Sequence, residues 1–360
     1  MTQEAGVIPE KVEREVPGNR LGAMLGRLMP ADRGRRKLVW LGVGLAAVVF
    51  FATLPLYYDV ANGQLGIFFF TVFTYGIVAQ GWNLVAGYTG QISLGQNAFF
   101  GLGAFTTALL WFWDITHTGY WFDPVLMILS AIAPAILAIL VGLPLLSRLR
   151  GDYFAFGTLG TGMIISVIFL NGGKITGGSE GKLLIKVMPE GVVFNLRSHY
   201  YVSLMLAILA TLVVYFMTSS RVGLALKAIR EDEISAASHG INVLKYKIFS
   251  FAVAAALAGL AGSVYCYYLL HPMPMNVFAM SWLFLPILMT VLGGTGTIVG
   301  PWVGALVVYF IAWYGDKYFP GWHPVILGVI IILVMLFMPA GLAGIGENVT
   351  QLWKRGSRAP

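Results

Sequence analysis

Residues 87–97, GYTGQISLGQN, combine glycines with amide and hydroxyl side chains between strongly apolar flanks. Glycine lets a backbone leave helical geometry, and Gln, Ser and Asn supply hydrogen-bond donors and acceptors without net charge. Inside a membrane, non-helical backbone must be buried in protein or line a water-filled path. The stretch therefore favours a path for a polar or zwitterionic solute, whereas close helix packing better explains the following residues, 98–105. The candidate path residues are Gly87, Gly90, Gln91, Ser93, Gly95, Gln96 and Asn97.

A second stretch, GGTGTI (293–298), shares the pattern G-x-T-G-x-I with GYTGQI (87–92), and each follows one apolar run and precedes another. Transporters are often built from duplicated halves with broken helices at matching positions. Chance is the alternative in a chain that holds 44 glycines. The repeat adds Gly293, Thr295 and Gly296 to the candidate path. The predicted topology places both copies on the same side of the membrane, and an inverted repeat would instead make one copy re-entrant.

The sequence contains no complete motif for catalysis, phosphate binding or metal binding. The glycine-rich stretch 172–182 does not complete a phosphate-binding G-x-x-x-x-G-K-[ST] loop. GGSEG (177–181) matches G-x-S-x-G, but it lies between apolar runs and not in a strand–turn–helix context. The five histidines show no metal-ligand spacing, and the single Cys266 lies in an apolar run. We expect no catalytic residue, no metal and no cofactor bound by this chain, which argues against a membrane enzyme.

The composition demands lipid as the surrounding solvent. The chain of 360 residues is 58% hydrophobic and 11% charged, whereas soluble domains are about 25% charged. Its apolar runs are continuous and do not alternate as in a barrel strand. We predict an all-α, polytopic transmembrane helical bundle of about ten spans, with eight to ten compatible with the pattern. The spans are placed at 38–57, 65–86, 94–113, 124–146, 152–170, 200–218, 248–270, 276–293, 297–314 and 324–339.

The distribution of Lys and Arg predicts the orientation of the chain. A basic cluster at 33–37 precedes the first apolar run, which by the positive-inside rule makes the N-terminus cytoplasmic. The same rule makes the C-terminus cytoplasmic, although the outer loop 171–199 carries four basic residues against the trend. The predicted organisation is a polar N-terminal tail (1–37), one transmembrane domain (38–340) with a cytoplasmic loop (219–247), and a cytoplasmic C-terminal tail (341–360).

The cytoplasmic loop 219–247 is the longest polar inner loop. Its middle, ALKAIREDEISAASHGI, is rich in helix-forming residues up to Gly240, a natural helix stop. An amphipathic helix with this REDE cluster could dock in a groove of a partner protein. A solvated charged loop is the alternative reading.

Several stretches together resemble branched-chain amino acid ABC-transporter permeases of the LivM/LivH type, with LivM closest. They are GYTGQISLGQNAFFGLGAF (87–105), RGDYFAFGTLGTGMI (150–164), AIREDEISAASHGINVLKYKIFSFAVAAALAGLAGSVY (228–265), GGTGTIVGPWVGALVV (293–308) and LFMPAGLAG (336–344). The resemblance covers residues 40–345. One departure is Ser179–Glu180, where the family commonly has Asn near TGG, and this leaves the cargo open.

The resemblance implies an ABC-importer permease fold and an importer subunit in a bacterial inner membrane that carries branched-chain amino acids. Besides the lipid bilayer, which the composition already requires, it implies three kinds of partner: a second homologous permease, two cytoplasmic ATP-binding subunits and an extracytoplasmic solute-binding protein. ATP would be bound by the partner subunits. Urea or short amides are alternative cargoes within the family, and a stand-alone secondary transporter is disfavoured because no charged residue lies clearly within a span. The implied ATPase-coupling residues in 228–241 are Arg230, Glu231, Asp232, Glu233, Ala236, Ala237 and Gly240.

Overall fold

A computed structural model describes residues 33–58, 63–115, 122–149, 151–187 and 194–318, together with Val325, Gly328, Val329 and Ile332. The predicted tails, apart from residues 33–37, and the C-terminal motif at 336–344 lie outside the described residues. So does the predicted tenth span, apart from those four positions. The chain divides into a main unit, Leu45–Ile345, and a small unit, Met1–Gly44 with Gly346–Pro360. Of the small unit the structure describes residues 33–44, which are helical.

The described residues form helices and no strand, which confirms the all-α class for this part of the chain. Short 3₁₀ turns lie at Gly178–Glu180 and Leu184–Val187, in the segment 171–187 that the structure describes before α7. The α-helices are α1 (Arg33–Tyr57), α2 (Gln64–Thr89), α3 (Gln96–Phe112), α4 (Pro124–Arg148), α5 (Asp152–Leu170), α6 (Gly173–Thr176), α7 (Leu196–Ser219), α8 (Arg221–Glu231), α9 (Glu233–Ser238), α10 (Val243–Leu269), α11 (Pro274–Val277), α12 (Ser281–Gly293) and α13 (Gly300–Tyr318).

Nine of the ten predicted spans coincide with helices among the described residues. Six segments are long and apolar enough to cross a membrane: α2, α4, α5, α7, α10 and the α11–α12 segment. The chain is therefore a multi-pass helical membrane protein by length and composition. The count of ten spans and the cytoplasmic location of both termini stay predictions.

Helix α2 forms the centre of the main unit. Of the 18 consecutive residues that make up its apolar segment, 78% are buried, whereas 28% are buried in the corresponding segment of α5. Helices α7, α10, α12 and α13 all pack against α2. Aromatic stacking of Tyr75 on Trp282 and of Phe100 on Trp282 joins α2, α12 and α3 through one indole ring. The polar residues of α2 are consequently enclosed by other helices and shielded from lipid.

Three helices are joined by a cluster of buried hydroxyl groups. Thr107 Oγ1 lies 2.6 Å from Ser130 Oγ and donates to Ser263 Oγ at 2.7 Å, which connects α3, α4 and α10. Nearby, a Cβ built on Gly103 would lie 2.4 Å from Gly259 Cα, so the α3 and α10 backbones are in direct contact. Small residues and hydroxyls of this kind allow close approach of helices in membranes. This packing agrees with the interpretation of residues 98–105.

Candidate functional site

The first glycine motif ends α2 and turns the chain. Gly90 has a left-handed φ of 73°, its N–H donates to Ala86 O, and Gln91 N–H donates to Val85 O. A C-terminal glycine whose N–H bonds the carbonyl four residues back is the αL cap, and this position favours glycine because a side chain strains the left-handed conformation. Gly87 lies in the last turn of α2, three residues before the turn.

After Gly90 the chain folds back along α2 before α3 begins. The indole Nε1 of Trp82 donates to Ser93 O at 2.9 Å, although Trp82 lies two turns before the end of α2. The N–H of Leu94 then donates to Thr158 Oγ1 of α5 at 2.9 Å, and Asn97 Nδ2 donates to Phe278 O at 3.0 Å. The start of α3 therefore lies inside the bundle, between α2, α5 and the residues that precede α12.

Several buried polar atoms at the start of α3 have no hydrogen-bond partner. Both amide atoms of Gln96, the Oγ of Ser93 and the Oδ1 of Asn97 are in this state, and so is Gln91 Oε1 just after the turn. The four side chains are 0 to 5% exposed. A buried donor or acceptor without a partner costs about 1–3 kcal/mol, so such a concentration is expensive for folding alone. The arrangement can offer hydrogen bonds to a polar solute when the helices separate. Gly95, at the N-terminus of α3, packs its backbone against Thr158.

The second glycine motif packs directly on the first. Gly293 is the last residue of α12, and the exposed Thr295 and the partly buried Gly296 follow in the loop before α13. Asn83 on α2 holds this loop: its Nδ2 donates to Thr297 O at 2.7 Å, and its Oδ1 accepts from Gly296 N–H at 2.7 Å. Gln80 Nε2, one turn earlier, donates to Ile298 O.

The two copies of the motif lie at the same end of the bundle. Three contacts join α2 to α12 and the loop after it: Tyr75 with Trp282, Ala79 with Thr290, and Asn83 with Gly296. The residue numbers increase in the same direction on both sides of these contacts. Helices α2 and α12 therefore run parallel. This arrangement agrees with the parallel repeat of the predicted topology.

The polar loop 219–247 contains two helices where the sequence suggested one. Asp232 adopts an extended conformation (φ −159°, ψ 117°) between α8 and α9, and its Oδ1 accepts from Ser235 N–H at 2.6 Å as the N-cap of α9. Asp favours this position because its short side chain satisfies an otherwise unpaired amide of the first turn. Gly240, with a φ of 81°, follows the end of α9 as the sequence suggested.

The charged residues of the REDE cluster divide into two groups. Arg230 Nη1 donates to Gly87 O, and Glu233 Oε1 accepts from Gln91 Nε2 at 3.0 Å, so both side chains face the first glycine motif. Glu233 Oε1 also pairs with Lys247 Nζ of α10, a side chain only 3% exposed. Arg230 and Glu233 therefore attach the loop to the first glycine motif and to α10.

The other group faces outward. Glu231, Asp232 and Ser235 line an open cleft of about 400 Å³, together with His239 and Ile241. Beside it Ile234 is 71% exposed. Ala237 is exposed, whereas Ala236 is buried and lines the floor of the cleft. The outward side of the loop thus combines an open cleft, carboxylates and one exposed apolar side chain.

The sequence comparisons identify the family. The family described as "Branched-chain amino acid transport system / permease component" matches residues 64–335. The chain belongs to this family of permeases. The permease protein LivM of Salmonella typhimurium is 31% identical, over 79% of this chain and 70% of the relative. LivM of Methanocaldococcus jannaschii is 28% identical over 60% and 68%, and LivH of Escherichia coli is 25% identical over 75% and 91%. No solved structure gives a significant match.

For this permease the structure adds site residues that the sequence reasoning missed. Gln80, Asn83, Lys247, Thr158 and Phe278 all contact the glycine motifs or the charged loop. Gln80 and Asn83 could have been found from the sequence, because two amide residues three positions apart in an apolar run lie on one face of a helix. The contact with Phe278 had no signal, since its backbone oxygen is the acceptor.

Proposed function

We propose that this chain is the membrane-spanning subunit of an ABC importer that moves branched-chain aliphatic amino acids across a bacterial inner membrane. Membership of the permease family carries the proposal, and relatives named high-affinity branched-chain amino acid permease proteins support the cargo. The partners are a second homologous permease, two cytoplasmic ATP-binding subunits and an extracytoplasmic solute-binding protein. Both termini lie in the cytoplasm, and ATP is hydrolysed on the partner subunits.

The outward face of α8 and α9 is the docking surface for an ATP-binding subunit. Its open cleft supplies a concave surface, Glu231 supplies charge, and Ile234 supplies an apolar anchor. Of the coupling residues implied by the family resemblance, five build this face or its turn: Glu231, Asp232, Ala236, Ala237 and Gly240. Arg230 and Glu233 instead link the face to the glycine motifs.

The solute path runs past the start of α3. Neutral amides and hydroxyls suit a zwitterion, because they can bind an ammonium or a carboxylate without holding either charge permanently. The unpartnered atoms of Ser93, Gln96 and Asn97 support this location. The residues 87–91 and 293–296 form the inner end of the path, where the two motifs meet.

Transport follows from relative movement of the helices. ATP binding at the partner subunits displaces α8 and α9, and the connected ends of α2 and α12 move with them. The path then opens to alternate sides of the membrane, as in transporters built from repeated halves. The solute-binding protein delivers the cargo at the opposite end of the bundle.

The first test is affinity purification of the gently solubilised chain with identification of the proteins that accompany it. Two ATP-binding subunits and a second permease are expected for the wild type. The variants Glu231→Lys and Ile234→Asp should lose the ATP-binding subunits and keep the second permease, whereas the exposed Lys227→Ala should behave as wild type. Recovery of the chain without any ATP-binding subunit would overturn the proposal.

Urea or short amides remain a second candidate cargo, because neutral amide side chains hydrogen-bond these solutes equally well. Uptake by the reconstituted importer, measured with labelled leucine, distinguishes the two. Competition by isoleucine and valine supports the amino-acid cargo. Competition by acetamide or urea alone would replace it.

A further inference from the structure

One side chain, Arg230, contacts both glycine motifs. Its Nη1 donates to the carbonyl oxygen of Gly87, and its Cγ lies 3.3 Å from where a Cβ on Gly90 would stand. A Cβ built on Gly296 would lie 2.7 Å from the same Nη1. Arg230 belongs to the last turn of α8, so a single residue of the docking helix meets the turn that ends α2 and the turn that follows α12 in the loop.

The two turns are equivalent positions of the internal repeat. Gly90 and Gly296 occupy the same place in G-x-T-G-x-I, and their φ angles are 73° and 75°. Gly296 also approaches Gly87 directly, since a Cβ on Gly296 would lie 3.0 Å from Gly87 O. The repeat therefore brings corresponding turns of the two halves into contact at the Arg230 guanidinium.

The hydrogen bond of Arg230 replaces one that the α2 turn gives up. In a continuing helix Gly87 O would accept from Gln91 N–H, but that amide donates to Val85 O. The freed carbonyl lies at the negative end of the helix dipole, where a cation is stabilised. A guanidinium can bond this carbonyl while its planar group lies against Gly296, which the single ammonium of a lysine cannot reproduce.

We propose that Arg230 is a positioning residue that makes the two halves of the repeat move together. A displacement of α8 then shifts the ends of α2 and α12 as one unit and does not separate them. The role in transport rests on the proposed function, but the linkage of the two turns does not.

The linkage is tested on the chain alone in lipid nanodiscs. Spin labels are attached at Ile92→Cys and Thr295→Cys, two exposed positions next to the turns, in a Cys266→Ala background that removes the single native thiol. With Arg230 present, electron–electron spin distances should form one narrow distribution. Arg230→Ala should broaden it or add a second maximum, and the control Lys227→Ala should not. An unchanged distribution in Arg230→Ala would overturn the linkage.

The role in transport is tested in the reconstituted importer by measuring uptake and ATP hydrolysis together. Arg230→Ala should keep hydrolysis but lower the solute moved per ATP by roughly tenfold, a typical size for coupling between sites. Arg230→Lys should recover only part of this ratio. Unchanged uptake per ATP in Arg230→Ala would overturn the role. Loss of the ATP-binding subunits in Arg230→Ala would assign Arg230 to docking and overturn it as well. The failure of the proposed function is different, since the wild type would then show no ATP-dependent uptake.

Discussion

The Oδ1 of Asn83 accepts a hydrogen bond of 2.7 Å from the backbone N–H of Gly296. The Nδ2 of the same amide donates to Thr297 O, so one side chain satisfies a backbone donor and a backbone acceptor of the loop after α12. Asn83 is fully buried, whereas Gly296 and Thr297 are partly buried. The amide of Asn83 therefore fixes the second glycine motif against the first.

Replacement of Asn83 by Leu should lower the stability of the folded chain by about 1–3 kcal/mol, because it leaves the partly buried Gly296 N–H and Thr297 carbonyl without this hydrogen-bond partner. Thermal unfolding in detergent, followed by intrinsic tryptophan fluorescence, measures the effect. The exposed Asn171→Ala is the matched control and should change stability by less than about 0.5 kcal/mol. Equal effects of the two variants would contradict the clamp.

Gln96→Leu should have opposite effects on stability and transport. The substitution removes two buried amide atoms that have no partner, so the unfolding temperature should rise. Uptake should fall, because a polar group of the proposed path is lost. Thr107→Val is the comparison: its hydroxyl is fully engaged with Ser130 and Ser263, and its loss should lower stability. A Gln96→Leu protein with full uptake would remove Gln96 from the path.

Glu233 and Glu231 should separate into different phenotypes. Glu233→Gln weakens the pair with the buried Lys247, and breaking such a pair costs up to about 3–5 kcal/mol, less here because Glu233 is 27% exposed. Glu231→Gln changes only the outward cleft and should leave stability unchanged while reducing ATPase stimulation. Unfolding temperature and hydrolysis rate are measured on both variants. Reversed phenotypes would show that the cluster is not divided in this way.

Gly296→Ala should impair the chain through both conformation and contact. A left-handed φ costs a non-glycine residue about 1–2 kcal/mol, and the new methyl group would collide with the Arg230 guanidinium. Gly160→Ala in α5 meets nothing within 4 Å and should be neutral or stabilising by up to about 1 kcal/mol. Expression level and unfolding temperature of the two variants provide the comparison. Tolerance of alanine at Gly296 would mean that the turn can adopt another conformation.

The helices were largely predictable from sequence, because long apolar runs can only be spans in a chain of this composition. The predicted span 65–86 lies within Gln64–Thr89, and 152–170 matches Asp152–Leu170. The repeat could also be predicted from sequence, since Gly90 and Gly296 occupy matching positions and both have a left-handed conformation. The break at Asp232 was missed because the residues around it are good helix formers.

The division of the charged cluster could not be predicted. Arg230, Glu231, Asp232 and Glu233 are adjacent, and no local pattern indicates which side chains face the bundle. The extended Asp232 sets this division by reorienting α9 relative to α8. The partner of Arg230, Gly87, and the partner of Glu233, Lys247, come from distant segments of the chain.

The amide groups of α2 have a further consequence for biogenesis. Asn83 finds its partner Thr297 only 214 residues later in the chain. At ribosomal rates of roughly 5–20 residues per second, that interval is on the order of 10–40 s. During this time α2 must leave the translocon with amides that lipid cannot solvate. We expect its release into the bilayer to be delayed, or its polar face to be shielded by an insertion factor, until the α12–α13 hairpin has been synthesised.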